Sequence, residues 1–358
     1  MVLGLTTVLA ACAGSQTTPA PAPGPVGGQA VAPGQNQTGG QAPNLDAAKK
    51  EGKLVIWHPD QEADVVQFLQ KFTEKFGIQV ESQRLLPGSA LPKLETELKA
   101  GTSDMDVWWI SDPGIMYDQT KKGRLMQYVS PEMKAYDPKF KSSPEGFYTT
   151  YYINVGPIMY NPKVVSKDQA PKTWADLLDP KWKGQLGMRE AAAGTQYAQW
   201  YLLRDVLPKD YFDKLALNQP KAYNSSTQLV QDIMNGDTKI GGNVSIFQYT
   251  KAIRQNQPLE MVFPPEGVPS SLQMVGIMAG TKRPNAAKLF IDWFLSQEGQ
   301  QLWNDIQGSY SARADVTIKE LPKLTDLKLL TPQNMEDYAS AARHEEFNKF
   351  WNQMTGLK

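Results

Sequence analysis

The sequence predicts an α/β protein built from two lobes with a cleft between them. A strand–helix–strand–helix–strand run opens the folded part at Lys53, and a second α/β run follows a long extended stretch, Tyr151–Asn161. The composition supplies enough material for two cores, with 358 residues, 41% of them hydrophobic and nine of them tryptophan.

Ahead of the folded part, a short apolar run ends in Leu9-Ala10-Ala11-Cys12. That is the pattern of a bacterial lipobox, where small residues permit cleavage and the cysteine becomes a lipidated N-terminus. Residues 1–12 are expected to be a lipoprotein signal peptide and Cys12 the lipidation site. The mature protein is then extracytoplasmic and held to the membrane by its lipid anchor only. Cys12 is the single cysteine, so no disulfide forms within one molecule. Residues 13–45 carry no charge and almost no large apolar side chain, so they read as a disordered Pro/Gly/Gln-rich tether.

Lys53-Leu54-Val55-Ile56-Trp57 reads as a buried strand that breaks at His58-Pro59-Asp60. Val65, Phe68, Leu69, Phe72 and Phe76 then recur at helical spacing, and Gly77 stops that helix. Ile78–Glu81 is a second strand, and Leu94–Ala100 a second helix closed by Gly101. Asp106–Ile110 is a third strand, ending at Ser111-Asp112-Pro113. This order implies right-handed crossovers and a mainly parallel sheet, in which ligands sit at the carboxyl ends of the strands.

After the extended stretch, Gln185–Met188 is a strand and Ala193-Gly194-Thr195 opens a helix running to about Leu203. Gln228–Met234 is another helix and Ile240–Ile246 another strand. Lobe 1 is expected over 46–156 and 276–315, and lobe 2 over 157–275. The hinges fall at Val155–Ile158 and near Met274–Gly276, and a helical segment, 316–358, is left to either lobe.

Four stretches carry a family likeness. Met159-Tyr160-Asn161-Pro162-Lys163, Pro171–Leu177, Asp179–Gly184 and Asn285–Gln300 together resemble the family 1 extracellular solute-binding proteins of ABC importers, in particular the ferric-ion, sugar-phosphate and phosphonate binders. The resemblance implies a periplasmic-binding-protein fold of type II. It also implies a non-enzymatic monomer that closes over a small-molecule solute and presents it to an ABC permease and its ATPase. No cofactor is implied. Ala286, Leu289, Phe290, Trp293 and Phe294 form one apolar helical stripe and are read as core.

Ferric members of that family hold iron with a tyrosine pair, a histidine and a glutamate. Here Ile246 and Phe247 occupy or adjoin the tyrosine places, Asp112 falls where the glutamate would be, and His58 or Asp60 lies near the histidine. One carboxylate with a displaced Tyr249 is a poor set for a hard trivalent cation, so a ferric or ferric-complex receptor is the alternative reading. The anion half of the family site is better kept. Gly194 and Thr195 lie where the family presents helix N-terminal amides, Ser225 and Ser226 match a second hydroxyl segment, and Arg189 offers a planar fork. Thr195 and Ser226 also read as helix caps, and Arg189 as a surface partner of Glu190. Ser89 and Ser111 at strand ends, Asn243, and Tyr249 complete the candidate contacts. The expected solute is a small organic anion, phosphorylated, phosphonate or carboxylate.

The chain excludes other classes. Thirty-seven basic and 37 acidic residues cancel, so there is no overall field for nucleic acid. With two histidines, His58 and His344, a His-rich zinc site is not expected and no metal site is assigned. A lipid-anchored hydrolase would need a nucleophile elbow, and no Gly-x-Ser-x-Gly occurs.

Overall fold

The structure, a computed structural model, describes residues 42–356. The expected signal peptide, Cys12 and most of the expected tether lie outside the described residues. Among the described residues no helix is long and apolar enough to cross a membrane.

Helix α1 (Leu45–Lys50) leads into β1 (Lys53–His58), α2 (Glu62–Phe76) and β2 (Gln79–Arg84). Gly77 ends α2 with φ of 71°, a left-handed turn that glycine makes without steric cost. Next come α3 (Pro87–Ala100), β3 (Val107–Ile110), α4 (Pro113–Lys121), β4 (Leu125–Met126) and β5 (Thr149–Val155). Helix α3 begins two turns before the expected Leu94. Pro92 reads as a helix breaker, yet here it lies inside the helix with Pro87 in the first turn.

The chain crosses to the second lobe through Gly156-Pro157. That lobe holds β6 (Ile158–Tyr160), β7 (Leu186–Arg189), α5 (Gly194–Leu203), α6 (Tyr211–Ala216) and β8 (Lys221–Tyr223). It continues with α7 (Ser226–Asn235), β9 (Ile240–Gly241), α8 (Ile246–Arg254) and β10 (Glu260–Val262). The strand expected over Ile240–Ile246 is only two residues long. Asn243 takes a left-handed φ of 58°, which ends the extended run and turns the chain into α8.

The return strand is β11 (Val268–Met278), followed by α9 (Pro284–Leu295), α10 (Gln297–Gln307), β12 (Tyr310–Ser311), β13 (Leu329–Leu330), α11 (Met335–Tyr338) and α12 (Ala341–Thr355). The sequence reading puts the return crossing near Met274–Gly276. Those residues instead pair in mid-strand with Ile110, Trp109 and Trp108, so the crossing lies between Val262 and Val268.

Both sheets share one plan. The first runs β12-β5-β11-β3-β1-β2 and the second β10-β6-β9-β7-β8. In each, the first strand of the α/β run (β1 or β7) is flanked by two parallel neighbours. In each, the strand that arrives from the other lobe (β11 or β6) lies antiparallel beside the third. The parallel strands therefore point their carboxyl ends at the interlobe cleft, where loops carry polar groups.

Lobe 1 is filled by aromatic side chains, with Phe68 stacked on Trp293 at 4.7 Å and Trp109 against Phe294 at 4.6 Å between ring centres. The expected stripe is core, with Ala286, Phe290, Trp293 and Phe294 buried and Leu289 partly so. The C-terminal segment divides between the lobes. Ile318 and Leu321 pack on lobe 1, whereas Tyr338, Phe347, Trp351 and Met354 join the core of lobe 2.

Candidate functional site

The two lobes meet face to face at the strand ends. A Cβ on Gly194 of lobe 2 would stand 2.5 Å from the Ser111 carbonyl oxygen of lobe 1, an approach that only glycine permits. Beside this point the cleft keeps a cavity of about 60 Å³.

On the lobe 2 side, Arg189 closes β7 and is only 6% exposed. One terminal nitrogen donates to Ser226 Oγ at 3.3 Å, and Nε has no partner. Its backbone is fixed on both sides, because the Arg189 amide donates to Gln196 Oε1 and Trp351 Nε1 donates to the Arg189 carbonyl. Burial pushes the guanidinium pKa down to about 10, against the pull of the Glu190 carboxylate and with a smaller push from the like charge of Arg84. Next to Arg189, α5 starts at Gly194 with Ala193 in the capping position and no side-chain cap. Its first amides, at Gly194 and Thr195, thus line the cleft as donors at the positive end of a helix dipole. Ser226 and Ser245 add hydroxyls, and Phe247 supplies an apolar wall.

On the lobe 1 side, Asp60 is 7% exposed, and its two carboxylate oxygens accept from Tyr151 at 2.7 Å and Tyr152 at 2.8 Å. Burial raises its pKa to about 6, against the pull of both phenols. Arg84, exposed at the end of β2, donates from Nε to the Asp60 carbonyl at 2.9 Å. Asn154, Gln273 and Gln307 complete this wall with amides. Asn154 reaches over to lobe 2, donating to Ser245 Oγ at 3.0 Å and accepting from the Ile246 amide.

Of the candidate residues the sequence suggests, Asp60, Ser111, Arg189, Gly194, Thr195 and Ser226 line this cleft. Six others do not, each for a local reason. His58 is fully buried with its ring 6.0 Å from Trp109, and burial lowers its pKa to about 4, so it is neutral core. The Ser89 hydroxyl turns back to the Leu86 carbonyl in the first turn of α3. Asp112 caps α4 through the Gly114 amide and faces His344 at 3.8 Å, away from the cleft. Ser225 caps α7 through the Gln228 amide. Asn243 lies behind the wall and donates to the Thr195 carbonyl, holding the start of α5. Tyr249 packs in the core two residues beyond Phe247, and residues two apart on a helix point to different sides.

Arg84, Tyr152, Asn154, Ser245, Gln273 and Gln307 also line the cleft, and sequence reasoning misses all six. For Arg84 a signal exists. It stands at the end of β2 as Asp60 and Ser111 follow β1 and β3, but the sequence pattern stops that strand at Glu81. Among the described residues no group of three or more His, Cys, Asp or Glu side chains is placed to hold a metal ion.

Comparison with known proteins agrees with this fold. A family model described as bacterial extracellular solute-binding protein matches residues 67–328. The periplasmic binding protein AfuA from Actinobacillus pleuropneumoniae, solved with exogenous fructose-6-phosphate bound, is similar with a TM-score of 0.76 and 26% identity over 86% of this chain and 99% of that one. An uncharacterized protein of Haemophilus influenzae is 25% identical over 325 residues, which is 87% of this chain and 93% of the relative. A Fe(3+)-binding periplasmic protein of Serratia marcescens is 21% identical over 290 residues, 79% of this chain and 85% of that protein.

Proposed function

We propose that this chain, which belongs to the family of bacterial extracellular solute-binding proteins and has their type II periplasmic-binding-protein fold, captures a small phosphorylated organic solute in its interlobe cleft. Proteins of this kind are the periplasmic solute-binding components of ABC transporters, and here the captured solute passes to a permease and its ATPase.

The observation that carries the reading is Arg189, a buried guanidinium with an unpartnered Nε beside an uncapped helix N-terminus. A desolvated cation with no ion-paired carboxylate is costly, and an oxyanion accepting from it relieves that cost. The amides of Gly194 and Thr195 and the hydroxyls of Thr195, Ser226 and Ser111 surround the same point with donors, as a tetrahedral oxyanion requires. The opposite wall is different in kind. Asp60, Tyr152, Asn154, Gln273 and Gln307 offer mixed donors and acceptors, the set that pairs with the hydroxyls of a polyol. A sugar phosphate has these two ends, and fructose-6-phosphate is what the similar A. pleuropneumoniae protein holds.

Ferric iron fits less well. The cleft offers one carboxylate, Asp60, and two guanidiniums that repel a trivalent cation.

Native mass spectrometry of the protein as purified, followed by titration calorimetry with fructose 6-phosphate, tests the reading. A co-purified phosphorylated compound or saturable binding of the ester supports it. A co-purified ferric ion with no binding of phosphate esters refutes it.

A further inference from the structure

We infer that Arg84 and Arg189, one from each lobe, form a two-cation clamp that makes the closed cleft select a doubly charged phosphate monoester or phosphonate over singly charged anions. The inference rests on the reading of the cleft as a phosphorylated-solute site and adds the charge that site demands.

Arg84 ends β2 in lobe 1 and Arg189 ends β7 in lobe 2, and both line the cleft. The bond from Arg84 Nε to the Asp60 carbonyl fixes the root of that guanidinium and leaves its two terminal nitrogens without a partner among the described residues. Neither Arg84 nor Arg189 makes an ion pair with a carboxylate among the described residues. Arg124, Arg254, Arg283, Arg313 and Arg343 each do, and Arg204, which likewise makes none, lies over the Trp200 ring outside the cleft. Asp60 is the one carboxylate in the cleft, and both its oxygens are taken up by Tyr151 and Tyr152.

Closing the lobes therefore brings two like charges, neither of them ion-paired, toward each other across the gap. Opening separates them, because they ride on different lobes. A ligand shifts such an equilibrium only by the difference in its affinity for the two forms. A dianion pairs both guanidiniums, whereas a monoanion leaves one cation uncompensated and the repulsion half in place. Discrimination thus comes from the repulsion a monoanion leaves behind as much as from the bonds a dianion forms.

The test pairs fructose 6-phosphate with fructose 6-sulfate by calorimetry at about pH 8, where the phosphate ester carries two negative charges and the sulfate ester one on a similar tetrahedral group. The wild-type protein is expected to prefer the phosphate ester by about 30-fold, or roughly 2 kcal/mol. In Arg84→Gln that preference collapses to within about threefold, because the phosphate ester loses far more affinity than the sulfate. Arg84→Lys keeps most of it, since the charge stays. Arg84 is exposed, so its variants are expected to melt with the parent protein. An Arg84→Gln protein that binds the phosphate ester with the wild-type preference overturns the clamp and leaves the phosphorylated-solute site standing. A wild-type protein that binds neither ester overturns that site, and the clamp with it.

Discussion

Replacing Arg189 with methionine separates a binding role from a structural one. In the unliganded protein this guanidinium is 6% exposed, lacks a partner at Nε and holds one hydrogen bond, to Ser226. Burial lowers its pKa from the ordinary guanidinium value to about 10, which puts the cost of keeping it charged in the fold on the order of 3 kcal/mol. The sign follows from proton counting. The folded state binds fewer protons than the unfolded chain only between those two values, so the cost is fully present at neutral pH. Methionine fills a similar volume without the charge, so Arg189→Met without solute is expected to melt no lower than the wild type. Binding moves the other way. Losing a charged hydrogen-bond pair in a closed cleft costs about 2–3 kcal/mol, and affinity for fructose 6-phosphate falls by about 30- to 150-fold at 25 °C. Arg189→Lys recovers part, because lysine keeps the charge and loses the planar fork. Calorimetry gives the affinity and differential scanning the melt. Unchanged affinity would remove Arg189 from the site, and a matched fall in melting temperature without solute would make it a structural residue.

In Gly194→Ala the new methyl group meets the Ser111 carbonyl 2.5 Å away across the lobes, so closure is blocked and affinity drops at least about tenfold with the melt unaltered. Small-angle scattering should show the wild type compacting with solute and this variant staying expanded; equal compaction would contradict the closure geometry. Two buried groups set opposed acid responses. His58 binds its proton at about 4 in the fold, so its stability contribution is lost as pH falls from 6.5 toward 4, and His58→Gln should remove that loss. Asp60 titrates at about 6 in the fold instead of 3.8, so stability is gained as pH falls from 6 toward 4, and Asp60→Asn should remove that gain. Denaturant melts from pH 4 to 7 check both, and variants with slopes like the wild type would show the two environments to be misread. Cys12→Ser should release the protein from membranes in high salt with its fold intact; retention there would defeat the lipid-anchor reading.

The order of strands and helices is legible because each rests on local periodicity, and Gly77 and Gly101 punctuate it where left-handed turns occur. The return crossing is not, because β11 is buried along its whole length and shows no alternation to mark a face. Its pairing with β3 and β5 joins positions more than a hundred residues apart, which no local pattern records. Gln273 on β11 reaches the cleft only through that distant pairing, and Gln307 at the end of α10 through the packing of that helix on α2 and α9. The polar residues at strand ends divide by a simpler rule. Ser89, Asp112 and Ser225 each find a backbone partner two or three residues away, which satisfies them locally and turns them from the cleft. Such residues carry the same side chains that bind solutes, so type alone does not separate the two uses. A helix start that lacks a capping side chain and keeps its first amides does; α3 also lacks a cap, but Pro87 removes a first-turn donor there. Ala193-Gly194 opens a helix with nothing to accept its first amides, and Arg189 precedes it with a donor that has no acceptor. A helix start without a capping side chain, joined to a strand-end arginine, marks donors left over for a ligand, and both halves of that combination stand in the sequence itself.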